Sequence, residues 1–383
     1  MPDGSARRSG EILQTVRDAI GADGAPLYYV ADESEPTTVL MVTRASARVT
    51  ILAPIDSLAA SIERYRALLE SGDDARAESA SLARALSDDG FDGPDVDAAA
   101  RLVVIPDGSL HRVPFAALTI ADGRYVVERF AVATAPSAGV LTQLHKAGPA
   151  ANGHDSRPRR CAVRCRAAAS TGAFRPVPAT TELPRFAASA REARRVVRYF
   201  DDAELRPGAD ASEAWLRAAE LRGYALVHFA THALVDEQSI ARSTLALAPE
   251  GGEDGFLGPG ELSDLALDAE LVVLSACRSA DGVVLRGEGI YCLTAPLLEA
   301  GARAIVATQW KIEDASVVGG RNDRTAGEGV GKRRGRAQRQ NGGRRRGQAP
   351  GAGATTERWA KAWASAGGGR NDRTAGQGLP QFH

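Results

Sequence analysis

The chain has 383 residues, a formal charge of −1 and 44% hydrophobic side chains, enough to bury one large core or two smaller ones. No run approaches the roughly 20 apolar residues of a membrane span, and the first twenty residues hold no apolar core of signal-peptide length. The cysteines, Cys161, Cys165, Cys277 and Cys292, are too few and too irregularly spaced for a disulfide framework in a chain this long. A soluble, cytoplasmic protein is expected, in which a working thiol stays reduced.

In chain order, residues 1–24 read as a lead with one short helix, "EILQTVRDAI". Three β-branched runs follow, "PLYYVAD", "TTVLMVTR" and "RVTILAP", and suggest a meander. Asp56 or Ser57 is expected to cap a helix with Leu58, Ile62, Tyr65 and Leu69 on one face. A second helix, "ARAESASLARALSDD", leads to a strand, "RLVVIPDG", and "DGRYVVERFAVATAPS" reads as strand again. Residues 146–158 are a loop. In "RRCAVRCRAAAST" arginine interrupts every apolar pair, and no element is assigned there. Ser189 with Glu192 makes a capping-box pattern ahead of Ala193, Val196, Val197 and Phe200. Asp210 and Glu213 make the same pattern for the helix of Trp215 and Leu216.

From there the pattern becomes regular. "YALVHFA", "TLALAP", "AELVVLSAC" and "ARAIVATQW" read as strands, and "ELSDLAL" and "GEGIYCLTAPLLEAG" as helices. Pro296 should shorten or kink the second of these and Gly301 should stop it. Buried strands alternating with helices predict an α/β fold with a mostly parallel sheet covered on both faces. Working residues in such sheets sit just past the carboxyl ends of strands.

Two of those ends carry reactive side chains, His232 after "YALVHFAT" and Cys277 after "AELVVLSA". On adjacent parallel strands both emerge at one edge. An imidazole there can hold the thiol as thiolate and later protonate a leaving amine. Backbone N–H groups of Ala233 and Cys277 are candidates for the oxyanion, and Gly282, Gly287 and Gly289 would let a loop approach a substrate. The bland alternative is a small buried thiol and a hydrogen-bonded rim histidine. His228, four residues before His232 and on the same strand face, could line the site, though a satisfied core role is the stronger reading; Cys292 reads as core, and His111 as packing between two parts of the molecule. Cys161 and Cys165 lack further ligands around them, so no metal site is expected.

"HFATHA", then "VVLSAC", "GEG" and "GARAIVATQWKIED", preceded by "LVVIPDGSLHRVPFAAL" and "GRYVVERFAVATAPS", together resemble the CHAT domain, a caspase-like cysteine peptidase family similar to separases, gingipains and caspases. The resemblance covers roughly residues 25–318. It implies a caspase-like sheet flanked by helices, with a structural half at 25–155 and a catalytic half at 156–318. It implies Cys277 as nucleophile, His232 as general base, a protein substrate cleaved through a thioester, a regulatory protein partner and no cofactor. Relatives favour a basic residue before the scissile bond, and Asp236, Asp281 and Glu288 are the candidate pocket carboxylates. Where the family has Gly after the histidine, this chain has Ala233.

The sequence changes character at Gly319. Residues 319–383 carry fourteen Lys/Arg against four Asp/Glu, a net +10, which leaves −11 for the remainder. They hold 16 of the 40 glycines and repeat "GGRNDRTAG" at 319–327 and 368–376. Such a segment is expected to be disordered, either as a duplicated linker or as the product of a shifted reading frame. Its basic tract, "KRRGRAQRQNGGRRRGQ", could contact nucleic-acid phosphates, though no aromatic side chain is interleaved for base stacking. A non-catalytic interaction module on the same fold is the main alternative function.

Overall fold

The computed structural model describes residues 14–311, except residues 15, 19–23, 31–35, 44–45, 88–90, 92–95, 97–98, 148–159, 166–186 and 286–288. The expected features of residues 319–383, the side chain of Glu288 and the backbone of Gly287 lie outside the described residues.

The first sheet starts with the expected meander, β1 (Gly24–Val30), β2 (Pro36–Val42) and β3 (Ala47–Pro54), paired antiparallel. Next come β4 (Arg101–Ile105) and β5 (Ala131–Thr134), which extend it in parallel, in the order β3-β2-β1-β4-β5. Helices Asp56–Ser71 and Arg76–Leu86 supply Ile62, Tyr65, Leu82 and Leu86 to a core shared with Leu27, Tyr29, Leu102 and Val104. The first of these helices is not capped by Asp56 or Ser57. Its N-cap is Ile55, and the Ser57 hydroxyl donates back to the Pro54 carbonyl. The stretch read as strand from Gly123 to Ser137 divides into a short helix, Val126–Arg129, and β5, because Glu128 accepts the Tyr125 N–H and starts a helical turn.

The second sheet is parallel throughout. It contains β6 (Arg160–Cys165), β7 (Asp202–Pro207) and β8 (Tyr224–Ala230). A small antiparallel sheet follows, with β9 (Ala233–Leu234), β10 (Thr244–Ala246) and β11 (Phe256–Leu257). The parallel sheet resumes at β12 (Leu271–Ser275), is interrupted by a hairpin of β13 (Val283–Leu285) and β14 (Gly289–Tyr291), and ends at β15 (Ile305–Val306). Its order is β15-β12-β8-β6-β7. Numbered within the sheet this is 2-1-3-4-5, whose switch point lies between β6 and β8. The arginine-interrupted run that gave no prediction is thus a central strand, paired on both sides.

Helices cover both faces. Helix Ala187–Val196 packs Ala193 and Val196 onto Leu226, Ala230, Leu271 and Val273. On the other face Leu216, Leu262, Leu293 and Leu297 pack onto Val227, Phe229, Val272 and Leu274. The mostly parallel α/β sheet flanked by helices is as predicted. Three local expectations are corrected. Ser189 lies inside helix Ala187–Val196, so Glu192 does not close a capping box but is itself buried. The N-cap of helix Glu213–Ala218 is Ser212, whose hydroxyl accepts the Trp215 N–H, while Glu213 is buried against the Gly255 N–H. The stretch predicted as one helix from Gly287 begins as strand β14 and is helical only over Thr294–Glu299. Gly301 does end that helix, at φ +111°, and a Cβ there would lie 2.3 Å from the Leu267 carbonyl oxygen.

Candidate active site

Every residue of β8 and β12 is buried, because both faces of the sheet are covered. The two strands are neighbours and run parallel, with Leu226 opposite Leu271, His228 opposite Val273 and Ala230 opposite Ser275. The Thr231 N–H, 3.3 Å from the Ser275 carbonyl oxygen, closes the ladder. His232 stands two residues past Ala230 and Cys277 two residues past Ser275. Each thus follows the last paired residue of its strand by two positions, and both leave the sheet at the same carboxyl edge. Both are half-buried, and Cys277 is a thiol, not half of a disulfide.

The backbone on either side is held. The His232 carbonyl accepts the Ala246 N–H at 2.9 Å, which turns the chain into β9. Ala233, the candidate oxyanion donor, opens β9 opposite Leu245. After Cys277, Arg278 adopts φ +55°, a left-handed conformation that few arginines take. The Arg278 N–H donates to the Trp310 carbonyl and the Ala280 N–H to the Thr308 carbonyl, at 3.3 and 2.8 Å. The Ser279 hydroxyl donates to the Leu274 carbonyl and accepts the Thr308 N–H. The "ATQW" stretch after β15 is thus the cradle of the Cys277 loop.

Two of the three candidate pocket carboxylates, Asp236 and Asp281, are already engaged. Asp236 accepts the Gln238 and Ser239 N–H groups and a two-pronged contact from Arg242 at 2.7 and 2.9 Å. Hydrogen bonding by Arg242 pulls its pKa down to about 2. Asp281 is 2% exposed and lies 2.7 Å from both Arg66 and Arg278. Burial pushes its carboxyl up, but the two guanidinium groups outweigh this and hold it below the usual range. Arg278 also pairs with Glu237, on the loop after His232. Gly282 and Gly289 serve packing within the chain: a Cβ at Gly282 would lie 2.2 Å from the Tyr291 carbonyl oxygen, and one at Gly289 would lie 3.2 Å from that of Pro136. His111 is buried beside Gly289, so the loop after β4 rests on the β13–β14 hairpin.

One carboxylate at the site was not singled out from the sequence. Glu192, 4% exposed, accepts the Ser275 hydroxyl at 3.0 Å through Oε2, and its Oε1 lies 3.3 Å from His228 Nε2. Its signal was present: Ser189, Glu192, Ala193 and Val196 share one helix face, and a carboxylate on an otherwise apolar stripe must meet polar groups in the core. Cys292 is buried as expected, and burial raises its thiol pKa.

Among the described residues, Glu213, Glu253 and Glu261 bring carboxylate oxygens within 4.8 Å of one another. Arg217 lies 3.2–3.5 Å from all three, so a guanidinium already supplies the positive charge. No described helix is long and apolar enough to cross a membrane.

The family model described as the CHAT domain matches residues 77–319. The chain belongs to the CHAT domain family. The match spans β4 to β15 with His232 and Cys277, starts later than the resemblance read from the sequence, and ends where the Gly/Arg-rich composition begins. No curated protein matches the CHAT chain. Among solved structures it is similar to the complex of pro- and mature domains of RgpB from Porphyromonas gingivalis, at 13% identity and TM-score 0.37, covering 68% of this chain and 62% of that one. It is also similar to the Arg-specific cysteine proteinase gingipain R, at 12% identity and TM-score 0.38, covering 76% and 64%. The match therefore spans less than two thirds of either structure's chain.

Proposed function

We propose that this CHAT domain is a caspase-like cysteine endopeptidase acting on a protein substrate, with Cys277 as nucleophile and His232 as general base. The supporting observation is that the two residues each follow, by two positions, the last paired residues Ala230 and Ser275 of adjacent parallel strands. His232 takes the thiol proton as Cys277 Sγ bonds to the scissile carbonyl carbon, and the Ala233 and Cys277 N–H groups receive the oxyanion. The imidazolium returns the proton to the leaving amine as the C–N bond breaks. Water, deprotonated by the same imidazole, then cleaves the thioester and restores the thiol. In this reading residues 25–155 are a structural half, residues 156–318 the catalytic half, and residues 319–383 an appendage. Asp236 and Asp281, each committed to arginines of the chain, position loops and do not receive a substrate's basic side chain.

Alkylation of Cys277 by iodoacetamide across pH, read by peptide mass spectrometry, tests the pair without a known substrate. With His232 to take its proton, Cys277 alkylates readily at pH 6, and His232→Ala abolishes that low-pH reactivity. A profile like that of an ordinary thiol, unchanged by His232→Ala, would remove the peptidase reading in favour of the interaction module.

A further inference from the structure

We propose that Glu192 is a positioning residue for the His232/Cys277 pair, an inference that rests on the peptidase reading. Its carboxylate reaches both strands that carry the pair: β12 through Ser275, two residues before Cys277, and β8 through His228, four residues before His232. Ser275 is the last residue of β12, and the chain turns immediately after it into Cys277. One side chain on helix Ala187–Val196 thus touches both strands, at the last residue of β12 and two residues before the end of β8.

The cost of this arrangement argues against a packing role. Glu192, His228 and Ser275 are 4%, 1% and 9% exposed, and the neighbouring residues of β8 and β12 are otherwise apolar apart from Tyr224. Replacing such a group by well-packed apolar side chains is often neutral or stabilising. Among the described residues neither ring nitrogen of His228 has a hydrogen-bond partner, and Glu192 Oε1, 3.3 Å from Nε2, makes no hydrogen bond either, so His228 is not the satisfied core histidine that the sequence suggested. A buried polar group left unpaired costs about 1–3 kcal/mol, and such groups call for a role beyond packing. In this proposal the carboxylate, bonded to Ser275 and 3.3 Å from His228 Nε2, sets the relative position of the two strands whose exits carry His232 and Cys277.

The test uses the full chain with Glu192→Met, Glu192→Gln and Ser275→Ala. Methionine fills the volume without the Ser275 bond or the charge beside His228, whereas glutamine keeps an oxygen to accept from Ser275. The expected result is that Glu192→Met melts at or above the wild-type temperature yet alkylates Cys277 at pH 6 more slowly, by roughly 10- to 100-fold, as for a misplaced reacting group. Glu192→Gln should recover to within several-fold. Ser275→Ala should fall between, and adding it to Glu192→Met should change nothing further. A folded Glu192→Met with the wild-type rate overturns the inference while the His232-dependent reactivity of the parent still stands. Should Glu192→Met not fold, a Ser275→Ala chain with the wild-type rate overturns it equally. If the parent shows no His232 dependence, the peptidase reading falls first and takes this inference with it.

Discussion

At the scale of the residue, backbone and burial decide more than side-chain type. Gly301 sits at φ +111° with the Leu267 carbonyl where a Cβ would be. Gly123 sits at φ +84° with nothing near it. Gly123→Ala should cost about 1 kcal/mol of strain and Gly301→Ala at least about 2 kcal/mol, read as a difference in urea midpoint. His111 gives a pH dependence. Burial lowers its imidazole from 6.5 to about 4, against a smaller opposite pull from Asp107. The unfolded chain binds a proton there as pH falls through 6.5, and the folded chain only near 4. The contribution is thus full above pH 6.5 and is lost progressively as pH falls towards 4, by up to about 3 kcal/mol. Urea unfolding at pH 4.5 and 7.5 should show this slope in the parent and a shallower one in His111→Leu.

At the scale of the element, the loops after β8 and β12 depend on one another through Arg278. It pairs with Glu237 on the His232 loop and with Asp281 on its own, in a backbone conformation at φ +55° that glycine takes without strain. Arg278→Gly therefore removes the pairs alone, and Arg278→Ala removes them while keeping the strain. Both should slow low-pH alkylation of Cys277, and alanine should be the less stable by about 1 kcal/mol. Equal melting temperatures for the two would show that φ at this position carries no cost. The same scale explains where sequence reading succeeded and failed. β8 and β12 were legible because they are continuous apolar runs buried on both faces. β6 was not, because Arg160 and Arg164 break its pattern while its pairing to β7 and β8 is made by the backbone. Strand β14 was read as the start of a helix, and Gly289 within it sits at φ +98°, a conformation that composition alone does not reveal.

At the scale of the whole molecule, the two large sheets meet at a charge pair. Arg66, on helix Asp56–Ser71, reaches Asp281 in the Cys277 loop at 2.7 Å and the Gln309 carbonyl at 3.3 Å. Removing one partner of a buried pair strands the other and costs about 3–5 kcal/mol. Arg66→Ala leaves Asp281 with Arg278, which places its loss near the lower figure. Because the pair joins the sheets, its loss should also separate their unfolding. Urea curves followed by far-ultraviolet circular dichroism and by tryptophan fluorescence coincide in the parent and should part in Arg66→Ala. Curves that still coincide, at an unchanged midpoint, would show that the sheets are coupled by other contacts.

What the sequence by itself determined was local and periodic. Apolar runs defined β8 and β12, and the motif order placed His232 and Cys277 at their ends and identified the CHAT family. What only the tertiary structure decided was which polar groups meet. Asp281 read as a pocket carboxylate, but Arg66, 215 residues away in sequence, neutralises it. Glu192 read as a helix cap, but it lies against Ser275 and His228, 83 and 36 residues further along the chain. Periodicity reports the solvent that each residue faces, and that is local in the chain. The partner of a buried charge depends on how helices dock on the sheet, which no stretch of sequence specifies alone.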